Sequence, residues 1–244
     1  MLDMEHLDEF EAFVRERFSK LDSVQLNSLN WYPAWYYDNC EVDGAFDDVS
    51  DLVGATIYFG CTKVVFLFSE YPQYVVKVPF VGVQYWETED DCDEPSYVES
   101  EALFRNQEDY CAIEEGVYSA ARFDEVEDIF AETSFLGQLG EVKMYVAECA
   151  GVSFFGFSDS DISDNSWNKS TEIREKKGLG KWDGYSTVFE YLPIIVEQYG
   201  AEYAEKLVAF CEDEGVQDLH HGNVAWNDEG KLKFIDYSGY NEVI

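Results

Sequence analysis

The sequence has 244 residues, of which 46% are hydrophobic and 17% aromatic, so it can form a sizeable core and is not predicted to be disordered. Its 51 acidic and 16 basic side chains give a formal net charge of −35 at pH 7. A charge this large repels phosphates and argues against direct binding to nucleic acid or to an anionic membrane. No apolar run in the sequence is long enough to span a bilayer.

The first half of the chain is predicted to contain one helix followed by several strands. Apolar residues recur at helical spacing over 4–21, which predicts an amphipathic helix that needs a partner surface. The aromatic segment 29–40 contains Pro33 and is interpreted as irregular chain. Segments 54–69 and 73–86 are rich in β-branched and aromatic residues, which predicts strands.

The second half is predicted to be mainly helical. The acidic segment 87–101 is interpreted as a long loop, after which a helix over 107–123 and a hairpin around Gly140 are expected. Two helices follow over 185–215, and the second of them ends at Gly215. This order predicts an α+β protein with a sheet-based N-terminal lobe and a small, mostly helical C-terminal lobe.

Six cysteines are spread along the chain: Cys40, Cys61, Cys92, Cys111, Cys149 and Cys211. None of them forms a C-x-x-C pair, which argues against a zinc ribbon or a redox motif. The N-terminal residues are acidic and lack the apolar segment of a signal peptide. Reduced thiols and a cytoplasmic location are therefore expected.

A polar stretch near the C-terminus, 216–240, contains the adjacent histidines His220 and His221. Neighbouring side chains on a strand point to opposite faces, so one metal ion cannot readily take both. The stretch supplies too few nitrogen or sulfur ligands for zinc, and a histidine-based metal site is not expected.

Asp218, Asn223 and Asp236, in the same stretch, supply only oxygen atoms, which are the ligands that Mg²⁺ prefers. The turn over 226–230 predicts a hairpin that returns Asp236 toward the loop carrying the other two. The alternative is that Asp218 and Asn223 satisfy the backbone of their own loop, as such residues do in turns.

Two features upstream suggest a site for an anion. Lys77 lies within an apolar strand, where a lysine is costly unless it is paired or binds an anion; a lysine facing solvent from an edge strand is the alternative. Gly60 forms a turn that leads into a strand, and backbone amides at such a turn can approach phosphates.

Together these motifs resemble the protein-kinase-like superfamily, above all its aminoglycoside and choline phosphotransferase branch and small kinase-like proteins of bacteriophages. The resemblance covers 54–237. Segment 218–223, Asp-Leu-His-His-Gly-Asn, is similar to the D-L-H-x-G-N catalytic loop of that branch. Ile235-Asp236-Tyr237 is similar to the D-F-G-type motif, and Lys77 is similar to the lysine of the third strand.

The resemblance implies a phosphotransferase that uses ATP and Mg²⁺ and acts on a hydroxyl acceptor. Lys77 would position the ATP phosphates and would be held by Glu114, for which Glu101 and Glu115 are rivals. Asp218 would orient or deprotonate the acceptor hydroxyl. The other implied contacts are those of Gly60 with phosphate, of Glu148 and Ala150 with adenine, and of Asn223 and Asp236 with Mg²⁺.

The implied architecture is a two-lobed kinase-like fold with a truncated C-terminal lobe and an N-terminal helical extension. Residues 1–50 form the extension, 51–150 the β-rich N-lobe with the acidic insertion near 87–101, and 151–244 the small, mostly helical C-lobe. The extension and the insertion are expected to support the shortened second lobe. The sequence departs from the family in its poor glycine loop and in having no activation segment after Asp236.

The charge and these departures motivate a second hypothesis. The acidic surface either serves solubility or imitates nucleic acid. In the latter case the chain is a kinase-fold binding protein of bacteriophage origin that inhibits a basic host or defence protein. A homodimer that completes the short lobe is a further expectation.

Overall fold

The computed structural model describes residues 4–35, 42, 44–88, 95–97, 108–150, 152–153, 188–216, 219, 223–227 and 229–238. Over these residues the chain is a mixed α+β protein, as expected, and it divides into two compact units. The first unit comprises Met1–Ala112 and Thr133–Glu148, and the second comprises Ile113–Glu132 and Cys149–Ile244. No helix within the described ranges combines the length and the apolar character needed to cross a bilayer.

The helices and strands are labelled in chain order. Those that begin in the first unit are α1 (Met4–Phe18), α2 (Ser23–Ser28), β1 (Trp31–Trp35), α3 (Asp47–Val53), β2 (Thr56–Phe59), β3 (Lys63–Leu67), β4 (Tyr74–Pro79), β5 (Gly82–Thr88), β6 (Pro95–Tyr97), α4 (Tyr110–Phe123), β7 (Thr133–Leu139) and β8 (Val142–Glu148). The second unit adds a short 3-10 helix (Glu127–Ile129), β9 (Val152–Ser153), α5 (Val188–Tyr199), α6 (Ala201–Asp213), β10 (Val224–Trp226) and β11 (Leu232–Phe234).

The amphipathic helix predicted at the N-terminus is confirmed as α1. Phe10, Val14 and Phe18, spaced four residues apart, are fully buried on one face of it. The Phe18 ring lies 4.9 Å from that of Phe66 in β3, and the Phe10 ring lies 5.1 Å from that of Tyr74 in β4. The described part of the extension therefore supports the sheet of the first unit, and the expectation that it supports the second lobe stays a prediction.

The main sheet of the first unit is antiparallel and five-stranded over the described residues, in the order β2-β3-β4-β8-β7. The predicted hairpin around Gly140 is confirmed as β7 and β8. Side chains alternate between the two faces of a strand. Val76 and Val78 of β4 pack in the core with α1, so Val75 and Lys77 lie on the opposite face.

Two local predictions are wrong. The chain around Pro33 is not irregular: it forms β1, which pairs with β5 in parallel at the edge of a second sheet, β1-β5-β6. An edge strand tolerates proline because one side of it needs no backbone donor. The acidic segment 87–101 is not wholly a loop, since β5 extends to Thr88 and β6 pairs with it. The rest of that segment lies outside the described residues.

The helices of the second unit agree with the sequence pattern. α5 and α6 confirm the two helices predicted over 185–215, with α5 described from Val188 onward. Gly215 follows α6 with a φ of +67°, a left-handed conformation that glycine adopts readily at a helix C-terminus. The predicted C-terminal hairpin is confirmed as the antiparallel pair β10 and β11.

Aromatic residues form the core beneath this hairpin. The Phe130 ring lies 5.6 Å from that of Phe210 in α6, 5.5 Å from that of Phe234 in β11 and 4.9 Å from that of Tyr237. The Tyr237 hydroxyl donates to the Ala131 carbonyl at 2.7 Å. Burial of each such ring contributes about 1.5–3 kcal/mol, so this cluster holds the hairpin to the helices.

Candidate functional site

Lys77 occupies the centre of the main sheet. It lies on β4, with Val65 of β3 on one side and Tyr145 of β8 on the other, and only 5% of it is exposed. The interpretation as an edge-strand lysine facing solvent is therefore wrong. Next to Val65 lies Tyr58 on β2, and next to Tyr145 lies Phe135 on β7. Both of these outer rings are exposed. A buried ammonium on a partly apolar face needs an anionic or hydrogen-bonding partner.

Lys63 is a second buried lysine on the same face, and the sequence reasoning missed it. It pairs in register with Pro79 and is only 4% exposed. The signal that could have identified it is its position directly before the apolar run Val64–Leu67. Val65, which pairs with Lys77, lies two residues after Lys63 on the same strand. The side chains of Lys63 and Lys77 therefore lie on the same face of the sheet.

Two of the three glutamates considered as partners of Lys77 differ in burial. Both Glu114 and Glu115 lie on α4, which is the first helix after β4 among the described residues. Glu114 is fully buried, whereas Glu115 is only partly buried. A buried carboxylate needs a cation or several donors, which favours Glu114 for a structural or catalytic ion pair. Glu101 lies outside the described residues.

The other residues expected to contact ATP, Gly60, Glu148 and Ala150, lie at or just beyond the ends of strands. Gly60 follows β2 in the turn to β3, where its N–H donates to the Lys63 carbonyl at 3.1 Å. A Cβ added to Gly60 would meet no atom within 4 Å, so the turn is open on that side. Glu148 is the last residue of β8, and Ala150, which is buried, follows two residues later.

The hairpin of the second unit brings Asn223 and Asp236 together. The carbonyl of Asn223, just before β10, accepts hydrogen bonds from the N–H groups of Ile235 at 2.9 Å and Asp236 at 3.3 Å. Both side chains are partly exposed, and the Ser238 hydroxyl donates to Asp236 Oδ1 at 3.3 Å. Two oxygen-bearing side chains are therefore held at the open end of one hairpin.

The loop before the hairpin is described only at Leu219 and Asn223, and Asp218, His220 and His221 lie outside the described residues. Leu219 is fully buried, and its carbonyl accepts a hydrogen bond from the Tyr191 hydroxyl of α5 at 2.8 Å. The residue that follows Asp218 in the chain is thus anchored by a buried side chain and by a hydrogen bond between its backbone and a helix.

The oxygen atoms of Asn223 and Asp236 fit Mg²⁺, which takes one or two protein carboxylates and completes its shell with water and phosphate. In the part of the chain that the structure describes, no group of three or more His, Cys, Asp or Glu side chains could hold a metal by itself. An ion at the hairpin would accordingly depend on a phosphate ligand. Lys77 and Gly60 belong to the first unit, and Glu114 and the hairpin to the second.

Three titratable groups of the second unit serve as neutral core groups. Burial, followed by the nearby Glu132 carboxylate, raises the pKa of Tyr118, and the two side chains are hydrogen-bonded. Burial also raises the pKa of Tyr203, whose hydroxyl donates to the Val126 carbonyl at 2.7 Å, and of the Cys211 thiol in α6. Such groups resist ionisation and are poor nucleophiles at neutral pH.

In comparisons with known proteins, no family model, no curated protein and no solved structure matches the chain. Function is therefore inferred from the residues and from their geometry.

Proposed function

We propose that this protein is a phosphotransferase with a kinase-like fold, which uses ATP and Mg²⁺ and transfers phosphate to a hydroxyl acceptor. The observation that carries the proposal is the pairing of Asn223 with Asp236 through the backbone at the open end of the β10–β11 hairpin. Because phosphate transfer depends mainly on positioning and charge neutralisation, a rigid pair of oxygen ligands is what such a centre requires.

The position of Lys77 supports the proposal independently. The resemblance to the kinase-like superfamily implies a lysine on the third strand, a glutamate on the helix that follows, and a fifth strand that leads to the adenine contact. In the part of the chain that the structure describes, β4 is the third strand of its sheet in chain order, α4 is the next helix, and β8 is the fifth strand of that sheet. They carry Lys77, Glu114 and Glu148 respectively.

The proposed roles follow from the charge and position of each residue. Lys77 positions the ATP phosphates, and the open turn at Gly60 lets the backbone approach them. Asn223 and Asp236 hold Mg²⁺, which would neutralise charge on the phosphates. The backbone that follows β8, at Ala150, contacts adenine.

Asp218 orients the acceptor hydroxyl and accepts its proton as the phosphate is transferred. Leu219, the next residue, supplies the anchor, since it is buried and hydrogen-bonded to Tyr191. The proposed location is the cytoplasm, where ATP and Mg²⁺ are both present; the free thiols of Cys61, Cys149 and Cys211 are compatible with a reducing compartment.

The decisive experiment is a titration with ATP and Mg²⁺ monitored by melting temperature. A ligand that binds only the folded state stabilises it by about 2.7 kcal/mol at a hundred times its Kd, so a clear upward shift in Tm is expected. Asp236→Asn should abolish the Mg²⁺-dependent part of that shift. Glu229→Gln removes one charge from the exposed turn of the same hairpin and should leave the shift intact.

Absence of any shift with the wild-type protein, together with absence of ATP turnover, would refute the proposal. So would an equal loss in Asp236→Asn and Glu229→Gln, because the effect would then depend on the overall charge of the hairpin. Circular dichroism of both variants shows that each retains the fold of the parent.

Inhibition of a basic protein by nucleic-acid mimicry is a second candidate function, and the exposed face of α6 favours it. Glu202, Glu205 and Glu212 are exposed there, and their spacing of three and seven residues places them along one side of the helix. Binding of this kind should weaken steeply with salt and survive Asp218→Ala. A complex that is insensitive to salt would exclude mimicry.

A further inference from the structure

The first unit contains a pocket whose lining residues have no role in the proposed phosphate chemistry. Its cavity volume is about 120 Å³, which suits a small chemical group and is too small for a nucleotide. The pocket is lined by Asn30, Pro79, Phe80, Val81, Glu108, Asp109, Glu141 and Lys143. Three of these are apolar and consecutive, whereas the other five are polar or charged.

Asn30 is the most informative residue of this pocket. It is only 4% exposed, its N–H donates to the Asn27 carbonyl at 3.1 Å, and its own carbonyl accepts from Val81 at 2.7 Å. Its side-chain amide has no hydrogen-bond partner among the described residues. Neither polar atom of this amide is sealed from solvent, so the amide is open to a ligand that occupies the pocket.

Asp109 is fully committed to the protein. One carboxylate oxygen accepts from the Tyr145 hydroxyl at 2.7 Å and from Lys143 Nζ at 2.9 Å, and the other accepts from the Ala112 N–H at the start of α4 at 3.0 Å. The Asp109 side chain is 18% exposed. Lys143 therefore neutralises Asp109 and leaves the other two carboxylates of the pocket uncompensated.

Those two carboxylates belong to Glu108 and Glu141, which are exposed at the pocket rim. Neither has an ion-pair partner within the described ranges. With the Asn30 amide oxygen, they form a set of hydrogen-bond acceptors with a net negative charge. Phe80, which is buried, and Val81 give the same pocket an apolar wall.

We propose that this pocket binds an organic cation that carries hydrogen-bond donors, namely a guanidinium or primary alkylammonium group. The charged head would donate to Glu108, Glu141 and the Asn30 amide, and its alkyl stem would lie on the apolar wall. Such a group occurs both in free amines and in the basic side chains of proteins. The inference does not depend on the phosphotransferase proposal, because it uses none of the same residues.

NMR titration of the full-length protein with agmatine tests this proposal directly. The Asn30 side-chain amide and the Val81 backbone amide should shift in a saturable manner. Glu108→Gln combined with Glu141→Gln should weaken agmatine binding about tenfold, because two exposed charges that attract the cation are removed. The matched control, Glu212→Gln with Asp213→Asn, changes the net charge equally on exposed residues of α6 and should have little effect.

A variant that strengthens binding guards against loss through misfolding. Lys143 is half exposed, and Lys143→Met removes the cation that neutralises Asp109, so affinity for agmatine should rise several-fold. Unchanged or weaker binding in Lys143→Met would overturn the proposal. Equal losses in the two double variants, or no shift at Asn30, would overturn it as well.

Peptides identify the source of the cation. A short peptide with one arginine, compared with the same peptide carrying neutral citrulline, reports on a protein side chain, whereas agmatine reports on a free amine. Saturable binding of the arginine peptide but not of the citrulline peptide supports a protein partner. Saturable binding of agmatine alone supports a small-molecule ligand, and no saturable binding of either overturns the proposal.

Discussion

Lys77 and the Asn223–Asp236 pair are positioned by two different kinds of backbone structure. Lys77 lies within a six-residue strand that has a hydrogen-bonded neighbour on each side, β3 and β8. Asn223 and Asp236 flank a hairpin whose two strands have three residues each. In the first case the sheet ladder alone determines the position, whereas in the second the ladder is too short to do so.

In the second unit, hydrogen bonds from side chains to the backbone add to the short ladder of the hairpin. Tyrosine hydroxyls donate to backbone carbonyls at 2.7–2.8 Å in four places: Tyr191 to Leu219, Tyr199 to Leu232, Tyr203 to Val126, and Tyr237 to Ala131. A tyrosine can bury its ring and still satisfy a carbonyl that no strand reaches. The hairpin should therefore be more sensitive to single side-chain changes than the sheet that carries Lys77.

The largest expected effect comes from the aromatic core of the second unit. Phe130→Ala removes a fully buried ring that contacts Phe210, Phe234 and Tyr237, and should lower the free energy of unfolding by about 3–5 kcal/mol. Urea denaturation measures the loss. Phe135→Ala, in a ring that is 49% exposed on β7, should cost much less. Similar losses would contradict the contrast between the two regions.

A smaller effect is expected from the buried lysines. Lys77→Met should weaken binding of ATP with Mg²⁺ about 10- to 100-fold, because it removes a charged hydrogen-bond donor to phosphate. Lys63→Met is the matched control, since Lys63 is equally buried on the same face and has no assigned contact with phosphate. Calorimetric titration compares the two variants. Equal weakening in both would assign the effect to the sheet as a whole.

Loss of the hydrogen bond between Tyr191 and the loop that precedes the hairpin should lower stability by an intermediate amount. Tyr191→Phe leaves the ring in place but removes the donor to the buried Leu219 carbonyl, which should cost about 1–3 kcal/mol of unfolding free energy. Tyr58→Phe, on a side chain that is 60% exposed on β2, should change stability little. If Tyr191→Phe is neutral in denaturant unfolding, the hydroxyl does not anchor the loop.

Alkaline pH should produce the smallest loss of stability, and this loss should arise from groups of the second unit. Folding raises the pKa of Cys211 above its ordinary value of 9.0 and those of Tyr118 and Tyr203 above 10.0. The unfolded chain therefore releases these protons first. The stability from the neutral groups is present below about pH 8 and falls as pH rises, with a slope of at most about 1.4 kcal/mol per pH unit for each group.

Variants of two cysteines test this expectation. Cys211→Ala should flatten the fall in unfolding free energy between about pH 8 and pH 10, where the unfolded thiol titrates. Cys61→Ala, at an exposed position in the turn between β2 and β3, should follow the wild-type curve. Parallel curves for wild type and Cys211→Ala would show that the buried thiol does not control alkaline stability.

The local pattern predicted those elements whose side chains follow a simple period. The apolar residues of α1 recur every four positions, and a glycine with positive φ follows α6. The turn between β10 and β11 was equally visible from its residues, and Asn227 Oδ1 accepts from the Glu229 and Lys231 N–H groups there. Interactions within a few residues of one another govern all three features, so sequence alone suffices.

Pairing between distant segments was not predictable in this way. β1 was mistaken for irregular chain because Pro33 dominates its local pattern, whereas its partner β5 lies about fifty residues further along. Burial of Lys63 was missed for a related reason: the lysine stands at the start of its strand, and only the neighbouring strand and the layers above it decide its exposure.

The sequence by itself determined the mixed α+β class, most helices and hairpins, and the set of oxygen-bearing and cationic residues that could serve phosphate chemistry. Only the tertiary structure decided that Lys77 lies in the centre of a sheet, that Glu114 is buried more deeply than Glu115, and that Asn223 meets Asp236. Only the tertiary structure, too, placed Asn30 in the lining of a pocket. These features depend on long-range pairing and packing, whose free energies are set by neighbours remote in the chain.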